Sequence, residues 1–153
     1  MTKEIYLIRH AQSEANAALD LDNPTFYYDA RITSVGKEQA LSVQKKLKNI
    51  DFDLMLCSPL TRTLQTFSLI FPTPINNTII LPLIREHLDH SCDVGRQPSI
   101  LQKEFSHLNF DDVNKFWWNN DKYIHEKKIN YESIEDLDKR VLSFKKWIQK
   151  RSE

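Results

Sequence analysis

Apolar positions along the chain fall into short runs and helical stripes separated by polar stretches. Residues 4–8 combine β-branched and aromatic side chains and lead straight into Arg9-His10, which predicts a short buried strand. Residues 20–29, with Asn23-Pro24 and several acids, predict a loop. A helix is expected to begin at Thr33 or Ser34, either of which can cap it, with Ala40, Val43, Leu47 and Ile50 as its apolar stripe. Residues 53–57 predict a second buried strand, ended by Ser58-Pro59, and proline suits the first turn of the helix that follows. Leu60, Leu64 and Phe67 mark one face of that helix, and Pro72 and Pro74 close it. Residues 79–81 predict a third strand, and residues 86–99 a polar loop. Phe116-Trp117-Trp118 fall in a helix of weak periodicity. The last helix is the clearest, with Ile134, Leu137, Val141, Phe144 and Ile148 every three or four residues. Lys145, Lys146, Lys150 and Arg151 gather toward its C-terminus, where cations suit the helix dipole. Strands alternating with helices predict an α/β fold with a mainly parallel sheet, in one domain over residues 1–153.

Composition narrows the function classes. A chain of 153 residues suits one core, and 41% hydrophobic with 27% charged residues predicts a globular, soluble protein. Lys+Arg and Asp+Glu both number 21, so no excess charge points to nucleic acid or an anionic membrane. Any anion site must be built locally from a few converging cations. The apolar run in the first ten residues is too short for a signal peptide, and no segment reaches the length of a membrane span. Cys57 and Cys92 are read as reduced thiols of a cytoplasmic protein, since two cysteines do not make a disulfide scaffold. Only Gly36 and Gly95 occur as glycines, which excludes a P-loop or a dinucleotide fingerprint.

Two strand ends are followed at once by polar residues. The first brings Arg9, His10, Gln12, Ser13 and Asn16; the second brings Ser58 and, one helical turn on, Arg62. Ligands of open α/β sheets bind outside the carboxyl ends of strands. Two arginines and a histidine meeting there would form an anion site, because guanidinium forks match phosphate oxygens and keep their charge. A neutral histidine beside phosphate can act as a nucleophile through one ring nitrogen, provided a partner at the other fixes the tautomer. The sequence does not identify that partner. His87, His90, Cys92 and Asp93 contain metal-ligand types, but a tetrahedral site draws on two separated pairs and there is no second pair. No metal or other cofactor is expected. Trp117 and Trp118 are expected in the core rather than as a stacking platform.

The resemblance rests on three ordered blocks. Arg9-His10-Ala11-Gln12-Ser13-Glu14-Ala15-Asn16 resembles the signature of the histidine phosphatase (phosphoglycerate mutase-like) superfamily, with Ala11 where glycine is usual. Ile32-Thr33-Ser34-Val35-Gly36-Lys37-Glu38-Gln39-Ala40 is similar to the family's second block, which opens a helix. Ser58-Pro59-Leu60-Thr61-Arg62-Thr63-Leu64-Gln65-Thr66 is similar to its third. The resemblance implies a three-layer sandwich with a mainly parallel sheet flanked by helices. It also implies a metal-independent phosphohydrolase acting on a small phosphorylated substrate. His10 matches the phosphorylated histidine, Arg9 and Arg62 the arginines that hold the phosphate, and Asn16 a residue of the phosphate pocket. Glu86 resembles the glutamate that protonates the leaving alcohol and later activates water. Gln12 and Ser13 are implied as pocket residues, and Arg96 as a substrate contact in the loop that shapes the pocket.

The family's second catalytic histidine, in a Ser-His-Gly type motif after the final helix, has no counterpart before Glu153. Ser106-His107 lacks the following glycine and precedes the last helix, so it is not read as a substitute; His125, amid charged residues, is read as surface. Phosphatase is favoured over mutase, which needs extra covering segments to keep the phosphoryl group from water. A non-catalytic phosphate-binding module, or an enzyme fragment, stands as the alternative. On that reading residues 6–8 would present an unpaired sheet edge, so lower stability or pairing of that edge with another chain, as in a homo-oligomer, is expected.

Overall fold

A computed structural model describes residues 3–20, 27–73 and 77–153. Its elements run α1 (Glu14–Asp20), α2 (Ser34–Leu47), β1 (Met55–Cys57), α3 (Thr61–Ile70), β2 (Thr78–Ile80), α4 (Pro98–Glu104) and α5 (Ile134–Gln149). Single 3-10 turns lie at Pro82–Ile84, Ser91–Asp93 and Asp121–Tyr123. β1 and β2 pair in parallel, Met55 opposite Thr78 and Cys57 opposite Ile80. Met55 N–H donating to Asn77 O and Leu81 N–H donating to Cys57 O extend the ladder at either end. α3 is the crossover between these strands and packs against both α2 and β1. The architecture is therefore α/β with a small parallel sheet, as alternating strands and helices predict.

The central helices form for local reasons. Thr33 caps α2 in extended backbone, its Oγ1 accepting from Gly36 N–H. Ala40 is buried and Val43 and Leu47 pack around it, in a cluster with Ala11, Ile32 and Ile70. Pro59 precedes α3, and Pro72 follows its C-cap Phe71, whose N–H returns to Phe67 O. Leu60 and Leu64 face the larger core of Cys57, Ile80, Leu88, Leu101 and the aromatic residues 116–118, with Phe67 packed against it. α3 thus links the two clusters, its early turns in one and Ile70 in the other.

Three expectations are corrected. Residues 4–8 are not a buried strand: they join no ladder among the described residues, and Leu7 is 88% exposed. β propensity does not make a strand without a neighbour to take its backbone hydrogen bonds. The segment is tethered instead by Lys3 Nζ before it, donating to the Arg151 and Glu153 carbonyls, and by the Tyr6 ring at its middle, meeting Phe52 edge-on. Residues 116–118 form turns rather than a helix, because their bulk fills the core one ring against the next. Residues 86–99 are not a plain loop, since they hold the turn at Ser91–Asp93 and the start of α4. α5 does form, capped by Ser133 accepting from Asp136 N–H, but its stripe is not buried: Ile134 and Val141 are exposed. Its buried residue is the charged Arg140. Of the expected loop at 20–29, residues 21–26 lie outside the described residues, as does Pro74.

Candidate active site

The segment after residue 8 is fixed by side chains from three helices. Ala11 N–H donates to Thr66 Oγ1 of α3 at 3.0 Å, and Gln12 N–H donates to Gln39 Oε1 of α2 at 2.9 Å. Gln12 O accepts from Thr33 N–H at 3.0 Å, and Gln12 Oε1 accepts from the Thr33 hydroxyl at 2.7 Å. Gly36 permits this approach, because a Cβ there would stand 2.3 Å from Gln12 O. Ser13 is buried and caps α1, its Oγ accepting from Asn16 N–H, while Asn16 Oδ1 reaches back to Ser13 N–H at 3.1 Å. This is a capping box with Asn in the usual Glu or Gln position. It also fixes the Asn16 amide, leaving Nδ2 as the group available to donate.

His10 sits at the head of this segment. Its Nδ1 lies 2.8 Å from Ala11 O. A carbonyl only accepts, so Nδ1 carries the proton and Nε2 presents its lone pair. This supplies the tautomer-fixing partner that sequence did not reveal, and it is backbone. Burial is the largest influence on the ring and lowers its pKa below the ordinary 6.5. Arg62 and Arg9 act in the same direction, opposed by the Ala11 carbonyl and by Glu86. The imidazole is therefore neutral near pH 7.

An open cleft of roughly 400 Å³ is lined by Arg9, His10, Gln12, Asn16 and Gln39. Arg9, His10, Gln12 and Asn16 are thus brought together, and Gln39 joins them. Among the described residues, no hydrogen bond or ion pair engages the Arg9 guanidinium. Arg62 is near enough for its charge to act on His10, but it is buried: Nη1 donates to Cys92 O at 2.7 Å and Nη2 pairs with Asp93 Oδ1 at 2.9 Å. Glu86 is exposed and also acts on His10 through its charge; its Oε1 accepts from His87 N–H at 3.1 Å. Arg96 does not line the cleft. Its Nη1 donates to Thr61 Oγ1 at 2.9 Å and lies 3.8 Å from Asp29 Oδ2.

Asp29 was not singled out in the sequence. It is buried, has φ of 45°, and accepts from Thr61 N–H at 2.7 Å and from the Thr61 hydroxyl at 2.6 Å. It therefore satisfies an orphan amide at the start of α3, the helix that carries Arg62. Burial raises its carboxyl pKa, against the Thr61 hydrogen bonds and the arginine charges. The residues of the 87–93 loop are engaged elsewhere: His87 Nε2 lies 2.7 Å from Glu132 O, and Asp93 serves Arg62 and His90 N–H. Among the described residues, no three His, Cys, Asp or Glu side chains converge as a metal site. His107 meets Ser68 Oγ at 3.1 Å on the surface.

The family model of the histidine phosphatase superfamily (branch 1) matches residues 5–153. The chain belongs to that superfamily. A probable phosphatase of Schizosaccharomyces pombe is 31% identical over 111 residues, covering 67% of this chain and 50% of the relative. Phosphoglycerate mutase-like protein 1 of Arabidopsis thaliana is 28% identical, with 99% of this chain and 65% of the relative covered. The crystal structure of the alpha-ribazole phosphatase from Shigella flexneri superimposes with a TM-score of 0.59 at 27% identity, over 93% of this chain and 65% of that one. The chain thus spans from half to about two thirds of the length of these relatives. No helix of the described residues is long and apolar enough to cross a membrane.

Proposed function

We propose that this histidine phosphatase superfamily chain hydrolyses a phosphomonoester through a phosphohistidine at His10. The observation that carries the reading is the placement of the His10 ring: Nδ1 is given to the Ala11 carbonyl, and among the described residues Nε2 has no partner in the cleft it shares with Arg9 and Asn16. In the first step the Nε2 lone pair forms a bond to phosphorus while the bond to the leaving oxygen breaks. Glu86 transfers its proton to that oxygen, releasing the neutral alcohol. In the second step the Glu86 carboxylate takes a proton from water, whose oxygen bonds to phosphorus as the P–N bond breaks. Inorganic phosphate leaves and Nε2 is restored. Arg9, Asn16 and the field of Arg62 stabilise charge on the equatorial oxygens, which is the main catalytic task in phosphoryl transfer.

Hydrolysis is favoured over transfer to a second alcohol because the cleft is open and admits water. The arginines supply the positive charge, so the reading calls for no metal. The free thiols Cys57 and Cys92 suit a reducing, cytoplasmic setting. A second reading, phosphate binding without turnover, is favoured by one observation: Arg62 is already committed to Asp93 and the Cys92 carbonyl.

The test is hydrolysis of p-nitrophenyl phosphate, with and without chelator, beside His10→Ala, together with trapping of an acid-labile, alkali-stable phosphoenzyme. Chelator-insensitive turnover lost in His10→Ala is expected. Phosphate binding with neither turnover nor phosphoenzyme would favour the second reading, and turnover retained in His10→Ala would refute the assignment of His10.

A further inference from the structure

A buried ionic cluster joins α5 to the loop that carries Glu86. Glu132, Arg85 and Arg140 are all buried, and the two arginines both pair with Glu132. Arg140 donates from Nε to Glu132 Oε1 at 2.7 Å and from Nη2 to Glu132 Oε2 at 2.6 Å, a bidentate fork. Its Nη1 donates to both Leu83 O and Arg85 O at 2.9 Å, and Nη2 also approaches Glu86 O at 3.5 Å. Arg85 Nη2 donates to Glu132 Oε1 at 3.1 Å and its Nε to Trp118 O at 3.0 Å. The backbone of Glu132 closes the frame, with its N–H on Leu88 O and its carbonyl against His87 Nε2.

Two guanidinium groups share one carboxylate here, and main-chain carbonyls absorb the excess positive charge. Burial alone would raise the Glu132 pKa, but the Arg140 hydrogen bonds and the two arginine charges hold it below the usual carboxylate range. Such a cluster contributes little net stability compared with well-packed apolar residues. What it does supply is position. One side chain from a helix distant in sequence grips the carbonyls of Leu83 and Arg85 and approaches that of Glu86, while the Glu86 side chain is exposed. The 82–88 backbone has no strand ladder to fix it. Without the clamp, the Glu86 carboxyl would sample positions out of reach of a leaving oxygen.

We infer that Arg140, held by Glu132, is the positioning residue for Glu86 in proton donation to the leaving alcohol. The inference rests on the phosphatase reading above. It predicts a specific signature, because a general acid matters for an alkoxide that leaves poorly and hardly at all for a dinitrophenolate.

The experiment compares wild type, Arg140→Met, Arg140→Lys, Glu132→Gln and Glu86→Gln on an alkyl phosphate and on 2,4-dinitrophenyl phosphate. Hydrogen exchange is followed in parallel over residues 82–88. Lysine keeps the charge but lacks the fork that reaches Glu132 and two carbonyls together, so Arg140→Lys reports on the clamp even if Arg140→Met folds poorly. Expected are a loss of about tenfold or more on the alkyl phosphate, a loss of less than about twofold on the dinitrophenyl ester, and faster exchange at 82–88. Arg140→Lys added to Glu86→Gln should cost nothing further, as for residues acting through one another. Equal losses on both esters, or unchanged exchange at 82–88, would overturn the inference alone. A wild type inactive on both esters would overturn the phosphatase reading, and the inference with it.

Discussion

Gly36→Ala sets two effects of opposite sign against each other. In an exposed helix the change stabilises, since alanine is favoured over glycine by about 1 kcal/mol. Gly36, however, is buried in the first turn of α2 against the main chain of Gln12. An added Cβ would stand 2.3 Å from Gln12 O and 3.2 Å from Ile32 Cβ, where ordinary contact begins at 3.4 Å. Helix and loop would have to part by about 1 Å, and overpacking of this kind costs about 1–3 kcal/mol. The separation also stretches the Thr33 N–H bond to Gln12 O, now 3.0 Å, for a further loss of about 1 kcal/mol. The net expectation is destabilisation by about 1–3 kcal/mol, read as a lower urea midpoint at unchanged slope. Function should suffer more, because Gln12 and His10 share one short segment and a shift of about 1 Å can cost on the order of 10²-fold in rate. The assays are urea unfolding by circular dichroism and phosphoenzyme yield. A variant as stable as wild type or more so, with phosphoenzyme yield unchanged, would refute the close approach.

The lowered His10 pKa gives a signed pH dependence. Burial disfavours the charged ring in the folded state, so the unfolded chain protonates first as pH falls; the stabilisation is present above the ordinary 6.5 and is lost below it. An NMR titration should place the His10 midpoint below 6.5, and a midpoint at or above that value would contradict the account. Leu64, with no exposed surface where α3 meets the larger core, should lose about 2–5 kcal/mol on substitution by Ala, and a loss under about 1 kcal/mol in chemical denaturation would contradict the packing described.

Sequence was a good guide wherever the deciding interaction is local. Thr33, three residues before the amide it caps, and Leu60 and Leu64, one turn apart on α3, are cases in which pattern and structure coincide. Arg9, His10, Gln12 and Asn16 lie within eight residues, and they line one cleft. Where a partner is remote, the pattern misleads or is silent. Residues 4–8 have the composition of a strand, but composition does not supply a ladder. The α5 stripe has helical spacing, yet the residue it buries is Arg140, whose partner Glu132 and whose acceptors near residue 84 no periodicity connects. Asp29 was not singled out, and Gln39 was read as part of the second block but not as a site residue, for the same reason: an acid in a polar loop and an amide on a helix become informative only when Thr61 and Gln12 are placed against them. Arg62 shows the converse, since its motif is plain but its commitment to Asp93 is not.

The packing of Trp117 has a spectroscopic consequence. Its ring occupies the space a Cβ on Gly95 would need, and its indole Nε1–H donates to Arg96 O at 2.8 Å, while the Trp118 Nε1 is buried without a partner among the described residues. The chain has 3 tryptophans, so an amide correlation spectrum carries as many indole cross-peaks. The Trp117 proton, being hydrogen-bonded to a carbonyl, should resonate downfield of its neighbour's. Because that carbonyl belongs to the residue that reaches Thr61 and Asp29, this one peak is a native beacon for the Arg96 loop and its contacts at the start of α3, readable during titrations without any label beyond nitrogen-15.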